Sequence, residues 1–197
     1  LNALQQVITE DLCVVYIELD EGENPNQVFE ALNYRGVPLE ESDLIRNFFF
    51  AHLENQEIAE AQYDLYWKPM EERLLTDQLL ISSFIRHYCM KEGRFIRHGE
   101  TLEKIRKRFQ NASPDEVLYL LKDMSRSSEY YRRILFPDSE EGTSRERKEI
   151  LKSLFRIRRI SNNTPAPFFL LLLAANDTDN ENGGKLSDQE VFEVLSC

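Results

Sequence analysis

Of the 197 residues only three are cysteine, Cys13, Cys89 and Cys197, and no two stand at CxxC spacing. An odd number without that spacing suggests neither a disulfide framework nor a zinc site. Histidine is equally scarce: His52, His87 and His98 are far apart and form no HExxH pair, which weighs against metal catalysis. His87 reads as a partly buried helix residue. There is no GxSxG elbow, no GxxxxGK[ST] phosphate loop and no GxGxxG turn, so no active site is legible by motif. Basic residues are outnumbered, 24 Lys and Arg against 35 Asp and Glu, for a formal charge of -11. That excludes a basic surface running over the whole molecule and leaves only local patches for phosphate. No basic leader precedes the first apolar run, and "PFFLLLLAA" (Pro167 to Ala175) is much shorter than the roughly 20 residues of a membrane-spanning helix. The expectation is a cytoplasmic protein without a membrane partner.

Seven glycines and seven prolines in this length leave room for long regular elements. Apolar spacing at Leu1, Leu4, Val7 and Ile8 predicts a helix at the start. "LCVVYIELD" (Leu12 to Asp20) then turns to β-branched and aromatic residues and reads as the one clear strand, with Cys13 in its core. A lone strand needs partners from elsewhere. Asn24 and Pro25 open a short helix to Leu32, and Gly36 with Pro38 breaks the chain. A new helix is expected from Glu41 or Ser42, with Leu44, Ile45, Phe48, Phe49 and Leu53 on one face.

Helical patterns continue to the end. Ile58 to Arg73 should be kinked or ended by Pro69. Asp77 to Lys91 is amphipathic and stops at Gly93, Thr101 to Phe109 is basic, and Ser113, Pro114 and Glu116 form a capping box that opens a helix through about Tyr131. Arg145 to Ile160 is a second basic helix. Thr164 to Ala175, almost wholly apolar, is expected to be the central buried helix, and Ser187 with Glu190 starts the last one. The acidic "DTDNEN" lacks the glycine and closing glutamate offsets of a calcium loop and reads as a solvated turn. The fold class is therefore mainly α: a small α/β edge carrying the strand, residues 1–54, followed by a helical bundle, residues 55–197.

Two features invite a ligand. "KIRKRF" and "FRIRRI" place Arg106, Lys107, Arg108, Arg156, Arg158 and Arg159 on short helical faces, where they either contact DNA phosphates or keep one side of each helix in water. The turn after Leu32 is the second. Asn33 and Gly36 allow a tight bend that gathers backbone N–H groups, Arg35 adds a planar bidentate donor for phosphate, and Tyr34 offers a stacking surface. The same residues also serve as a plain cap and turn, with Arg35 paired to a surface acid.

"VFEALNYRGVPLEESDLIRNFFF" resembles the FExxNxxGxxL segment and following helix start of the GmrSD-type restriction family, known also as domain of unknown function 262. Phe29, Glu30, Asn33, Gly36 and Leu39 match the segment, and Asp43, Leu44, Ile45, Arg46 and Asn47 extend it. "VVYIEL", "YDLYWKPME" and "PAPFFLLLL" are also placed as in that family. The resemblance implies a modification-dependent, type IV-like restriction system of bacteria or archaea, active in phage defence. In it a ParB/sulfiredoxin-like domain binds and hydrolyses nucleotide with magnesium, and an HNH nuclease domain cuts DNA.

The chain departs from the family in two places. It has no Asp-Gly dipeptide, so the DGQQR motif that carries the nucleotide chemistry is expected upstream of Leu1. The histidines do not form an HNH set, so the nuclease is expected downstream of Cys197. The expectation is the middle of such a protein, inactive alone, whose partners are DNA, the missing N-terminal half and the nuclease domain. A second copy paired on the strand edge is a further expectation. Asn33, Tyr34, Arg35 and Gly36 are then nucleotide-site residues, supported by Phe29, Asp43, Arg46 and Asn47. The alternative is a non-catalytic helical module that binds DNA or a protein.

Overall fold

The computed structural model describes residues 39–53, 55–74, 78–136, 145–160, 164–178 and 183–196. The expected strand Leu12 to Asp20, the helix from Asn24 and the turn Asn33–Gly36 lie outside them. The chain divides after Pro38 into two compact units, and the second, from Leu39 to Cys197, holds every described residue. All regular structure among the described residues is helical.

The first helix, α1 (Glu41–Phe50), starts at the expected Glu41, and its apolar stripe buries Ile45, Phe49 and then Leu53. After Asn55, whose side chain caps the N–H of Ile58 at 2.9 Å, α2 (Gln56–Gln62) runs without a break into a π-helical turn, Tyr63–Trp67, and then α3 (Lys68–Leu74). Pro69 was expected to kink or end this segment, and it does not end it. Proline has no N–H to give and its ring crowds the carbonyl four residues back, here that of Leu65. A π turn just upstream relieves that crowding by shifting the pairing, so that the N–H of Lys68 reaches Tyr63 O, five residues back.

Helix α4 (Gln78–Met90) ends at Gly93, whose φ of +89° closes the turn with an N–H to Met90 O bond of 2.9 Å. Helix α5 (Thr101–Phe109) has no cap from its own Glu100. The Glu41 carboxylate from α1 accepts instead from the Leu102 N–H at 3.1 Å, tying the two helix starts together. Helix α1 packs on both α4 and α5, which makes it part of the helical unit.

Helix α6 (Pro114–Leu135) shows both halves of the Ser113–Glu116 capping box and runs four residues past the expected end at Tyr131. It packs against the π turn, α3, α4, α7 (Arg145–Ile160) and α8 (Ala166–Asn176). Its buried residues include Val117, Leu121, Met124, Tyr130 and Tyr131, with Ser125, Ser127 and Ser128 where neighbours come close. This, not α8, is the central helix. Although α8 is apolar on every side, Phe168 and Leu171 are each 51% exposed. An all-apolar helix is expected to be enclosed, and here one side is left open to water.

The last helix, α9 (Asp188–Ser196), starts at a second box between Ser187 and Glu190 and lies on α7. The bend between α8 and α9 is tight. Lys185 and Leu186 N–H groups both bond Ala175 O, and a Cβ on Gly183 would fall 1.7 Å from Asp177 O, so only glycine fits there.

Inside the bundle His87 of α4 is buried, with Nδ1 2.9 Å from the Tyr131 hydroxyl and the Arg86 guanidinium beside Nε2 at 3.4 Å. Burial first, and the Arg86 charge second, lower its pKa from 6.5 to about 4. The native state therefore holds His87 neutral, while the unfolded chain takes up a proton below pH 6.5. Stability from this site is whole above pH 6.5 and falls as pH drops towards 4, by about 3 kcal/mol at 1.36 kcal/mol per unit. Urea denaturation at pH 7 and pH 4.5 should show that loss in the wild type and a clearly smaller one in His87→Gln; equal losses would assign the acid sensitivity elsewhere.

Candidate functional site

Two clusters stand out, and the first gathers residues that the sequence had singled out separately. Arg46 of α1 lies 3.2 Å from Asp43 and 3.3 Å from Glu71 of α3. Glu71 also accepts from the Trp67 indole at 2.7 Å and the Tyr63 hydroxyl at 3.0 Å, both from the π turn. Phe50 meets both rings edge-on, at 6.1 Å each. The helix start at Asp43 and the "YDLYWKPME" segment are thus parts of one assembly, centred on one carboxylate. Asp43 and Arg46 serve as a brace. Asn47 lies on α1, and its carbonyl accepts from the Ala51 N–H at the helix end. Burial, with Glu71 as hydrogen-bond partner, raises the Tyr63 pKa.

The second is a half-open cleft of about 710 Å³ between the end of α4, the loop after it, α5 and α6. Its inner wall is apolar: Phe49 of α1, Ile105 and Phe109 of α5, Leu120 and Met124 of α6. At one side the Tyr88 hydroxyl donates to Asp123 at 2.5 Å, and Lys91 reaches the same oxygen at 2.6 Å with its ammonium 4.0 Å from the Tyr88 ring centre. Burial, reinforced by Asp123, pushes the Tyr88 pKa well up, so this phenol stays protonated. The Cys89 thiol is also raised, to about 12, chiefly by burial, which leaves it inert as a nucleophile near neutral pH.

The rim is cationic. Arg108 donates to Glu92 at 2.6 Å and lies over the Phe109 ring at 5.1 Å; the Glu92 bond holds its pKa above the ordinary arginine value. Arg94, Lys104 and Lys107 also line the cleft, and none of the three makes an ion pair among the described residues. Three such cations surround one concavity in a chain with a charge of -11. Phe95, on the same rim, is 73% exposed.

Of the DNA-contact candidates, Lys107 and Arg108 belong to this cleft, while Arg106 is exposed on α5 outside the lining and has another interaction of its own. Arg156 is exposed on α7, also outside the lining, and the side chains of Arg158 and Arg159 lie outside the described residues. The two basic helices have different neighbours, α5 resting on α1 and α4, and α7 on α6 and α9. Asn33, Tyr34, Arg35, Gly36 and Phe29 lie outside the described residues as well.

Sequence reasoning missed Arg94 and Phe95, and left Lys104, the first residue of the quoted "KIRKRF", out of the DNA-contact candidates. "RFIR" in a glycine-flanked loop next to "KIRKRF" was the available signal: a cation and an aromatic ring in a short loop beside a basic helix.

Among the described residues no group of three or more His, Cys, Asp or Glu could hold a metal ion, and none of their helices is long and apolar enough to cross a membrane. No catalytic step is assigned to them. No family model, curated protein or solved structure matches the chain.

If Glu71 is the centre of the first cluster, Glu71→Ala should cost roughly 2 kcal/mol or more, because the Trp67 and Tyr63 donors and the Arg46 charge lose their acceptor together. Asp43→Ala, which removes only a part-exposed ion pair, should cost under about 1 kcal/mol. Equal costs in urea titrations would refute that ranking. In a Cys13→Ser, Cys197→Ser background, iodoacetamide should leave Cys89 unmodified at pH 8 unless denaturant is added; rapid native labelling would refute the raised thiol.

Proposed function

We propose that the helical unit is a non-catalytic nucleic-acid-binding part of a nucleotide-dependent, modification-dependent restriction endonuclease of the GmrSD type. On this reading the chain is the middle of that protein, and DNA phosphates contact the α4–α5 cleft. One observation carries the binding role: Arg94, Lys104 and Lys107 surround a concavity with no acid paired to them among the described residues. Cations kept close together repel one another, and an acidic chain has many carboxylates available to offset them. Leaving all three open suits an anion that arrives from outside, and phosphate is the anion that the sequence resemblance implies.

The restriction context rests on the matched residues Phe29, Asn33, Gly36, Asp43 and Arg46. It is supported by the way Asp43, Arg46 and the "YDLYWKPME" segment meet at Glu71, since residues shared along a sequence pattern then share one structural task. The nucleotide belongs with Asn33 and Arg35 and its magnesium with residues beyond those described.

A second reading has its own observation. The half-exposed Phe168 and Leu171 on α8 give an apolar face that suits a protein partner, as a helical interaction module requires.

The test is salt-dependent binding of a labelled DNA of about 20 nucleotides, single-stranded and duplex, by fluorescence anisotropy. Replacing Arg94, Lys104 and Lys107 together by alanine should weaken binding at least about tenfold at low salt and flatten the slope of log K against log salt by about 2. An unchanged slope, or no binding by the wild type, would refute the role of the cleft. In the whole protein, Asn33→Ala and Arg35→Ala should abolish nucleotide hydrolysis while leaving the fold intact by circular dichroism; unchanged hydrolysis would make that turn architectural.

A further inference from the structure

The exposed ring beside the cleft narrows what it binds. Segment 94–97 carries no regular structure, yet it is held in place: Ile96 is buried, its carbonyl accepts from Arg86 at 3.4 Å, and Gly93 and Gly99, at φ +89° and +83°, turn the chain on either side. Phe95 stands between these anchors, 73% exposed on the rim, with Arg94 next to it and Lys104 and Lys107 along α5. A large ring left in water on a pinned loop costs hydrophobic free energy that a stacked partner would recover.

We infer that the cleft takes an unpaired nucleic-acid strand, with a base stacked on Phe95 and the adjoining phosphates on Arg94, Lys104 and Lys107. This rests on the nucleic-acid reading of the same cleft and goes beyond it by naming the substrate class. A duplex presents its phosphates but keeps its base faces stacked inside, so Phe95 would gain little from it. A single strand offers both charges and faces, and aromatic stacking tolerates any base. The volume agrees: about 710 Å³ is in the range of sites for small ligands, enough for one or two nucleotides and too small to admit a duplex. Phe109 and Leu120, part-exposed in the lining, give the sugar and a second base an apolar surface.

The experiment uses the full 197-residue chain, with circular dichroism as a check of folding, and compares oligo-dT of about 20 nucleotides with a duplex of the same length. Phe95→Ala changes an exposed side chain and should fold. It is expected to weaken single-strand binding about 5- to 100-fold and leave duplex binding within about twofold. Phe95→Trp should restore or strengthen the single-strand complex. Polyglutamate, an anion without bases, should compete poorly.

Equal binding of the two DNAs with no effect of Phe95→Ala overturns the unpaired-strand inference while leaving the nucleic-acid reading in place. Displacement of the strand by polyglutamate at matched charge points to an acidic protein partner and also overturns the inference. Loss of all DNA binding in the wild type removes both.

Discussion

The helical unit depends on keeping α6 out of water. That helix carries a broad band of buried side chains, from Val117 to Leu135, and no single neighbour could cover it. The π turn, α3, α4, α7 and α8 each take one strip of its surface. Close approach is possible because small residues interrupt the large ones, and Ser128 returns its hydroxyl to Ser125 O at 2.6 Å. Arg73 of α3 uses the same opening, donating to Ser125 O, Ser125 Oγ and Ser128 Oγ at 3.2 Å each and pairing with Glu129 at 3.0 Å. A buried polar interruption in an apolar helix is tolerable when its donors and acceptors are met in this way.

The cleft is a consequence of that packing. Once α4 lies on α6 through Phe84, Tyr88 and Tyr131, the end of α4 and its glycine turn project beside α5. Helix α5 is itself positioned by α1, through the Glu41 cap and the contact of Phe49 with Phe109 at 6.3 Å. The concavity is thus bounded by the end of α4, α5 and α6, and its cations sit on the loop after α4 and on α5. The brace at Glu71 stabilises the opposite side of α1, so the helix start matched by the sequence resemblance holds the cleft wall at one remove.

Much of the fold was legible because helix ends carry chemical signals. Ser113 with Glu116 and Ser187 with Glu190 announce two helices, Gly93 stops another, and basic α5 begins and ends at the residues its periodicity marks. The π turn before Pro69 and the open side of α8 were not legible. A proline breaks a helix only if the hydrogen-bond pattern stays α, and neighbouring residues adopted a π turn instead. An apolar helix is central only if partners surround it on every side, and α8 was given partners on some sides alone. The second outcome depends on atoms distant in sequence.

The candidate site divides the same way. Composition and spacing by themselves determined that this is a helical, acidic chain with two basic helices, that its cysteines and histidines form no metal or disulfide pattern, and where most of its helices begin. They also marked Lys107 and Arg108, while Asp43 and Arg46 were marked by the sequence resemblance. Only the tertiary structure decided that Asp43 and Arg46 brace α1 to Glu71, that Arg106 and Arg156 lie outside the cleft, and that Arg94, Phe95 and Lys104 join Lys107 and Arg108 around one concavity. Periodicity reports which way a residue faces on its own helix; it carries no information about which other helix it will face. That is set by the packing of α4, α5 and α6, where burial of apolar area chooses the arrangement and the charges take the positions left on its rim.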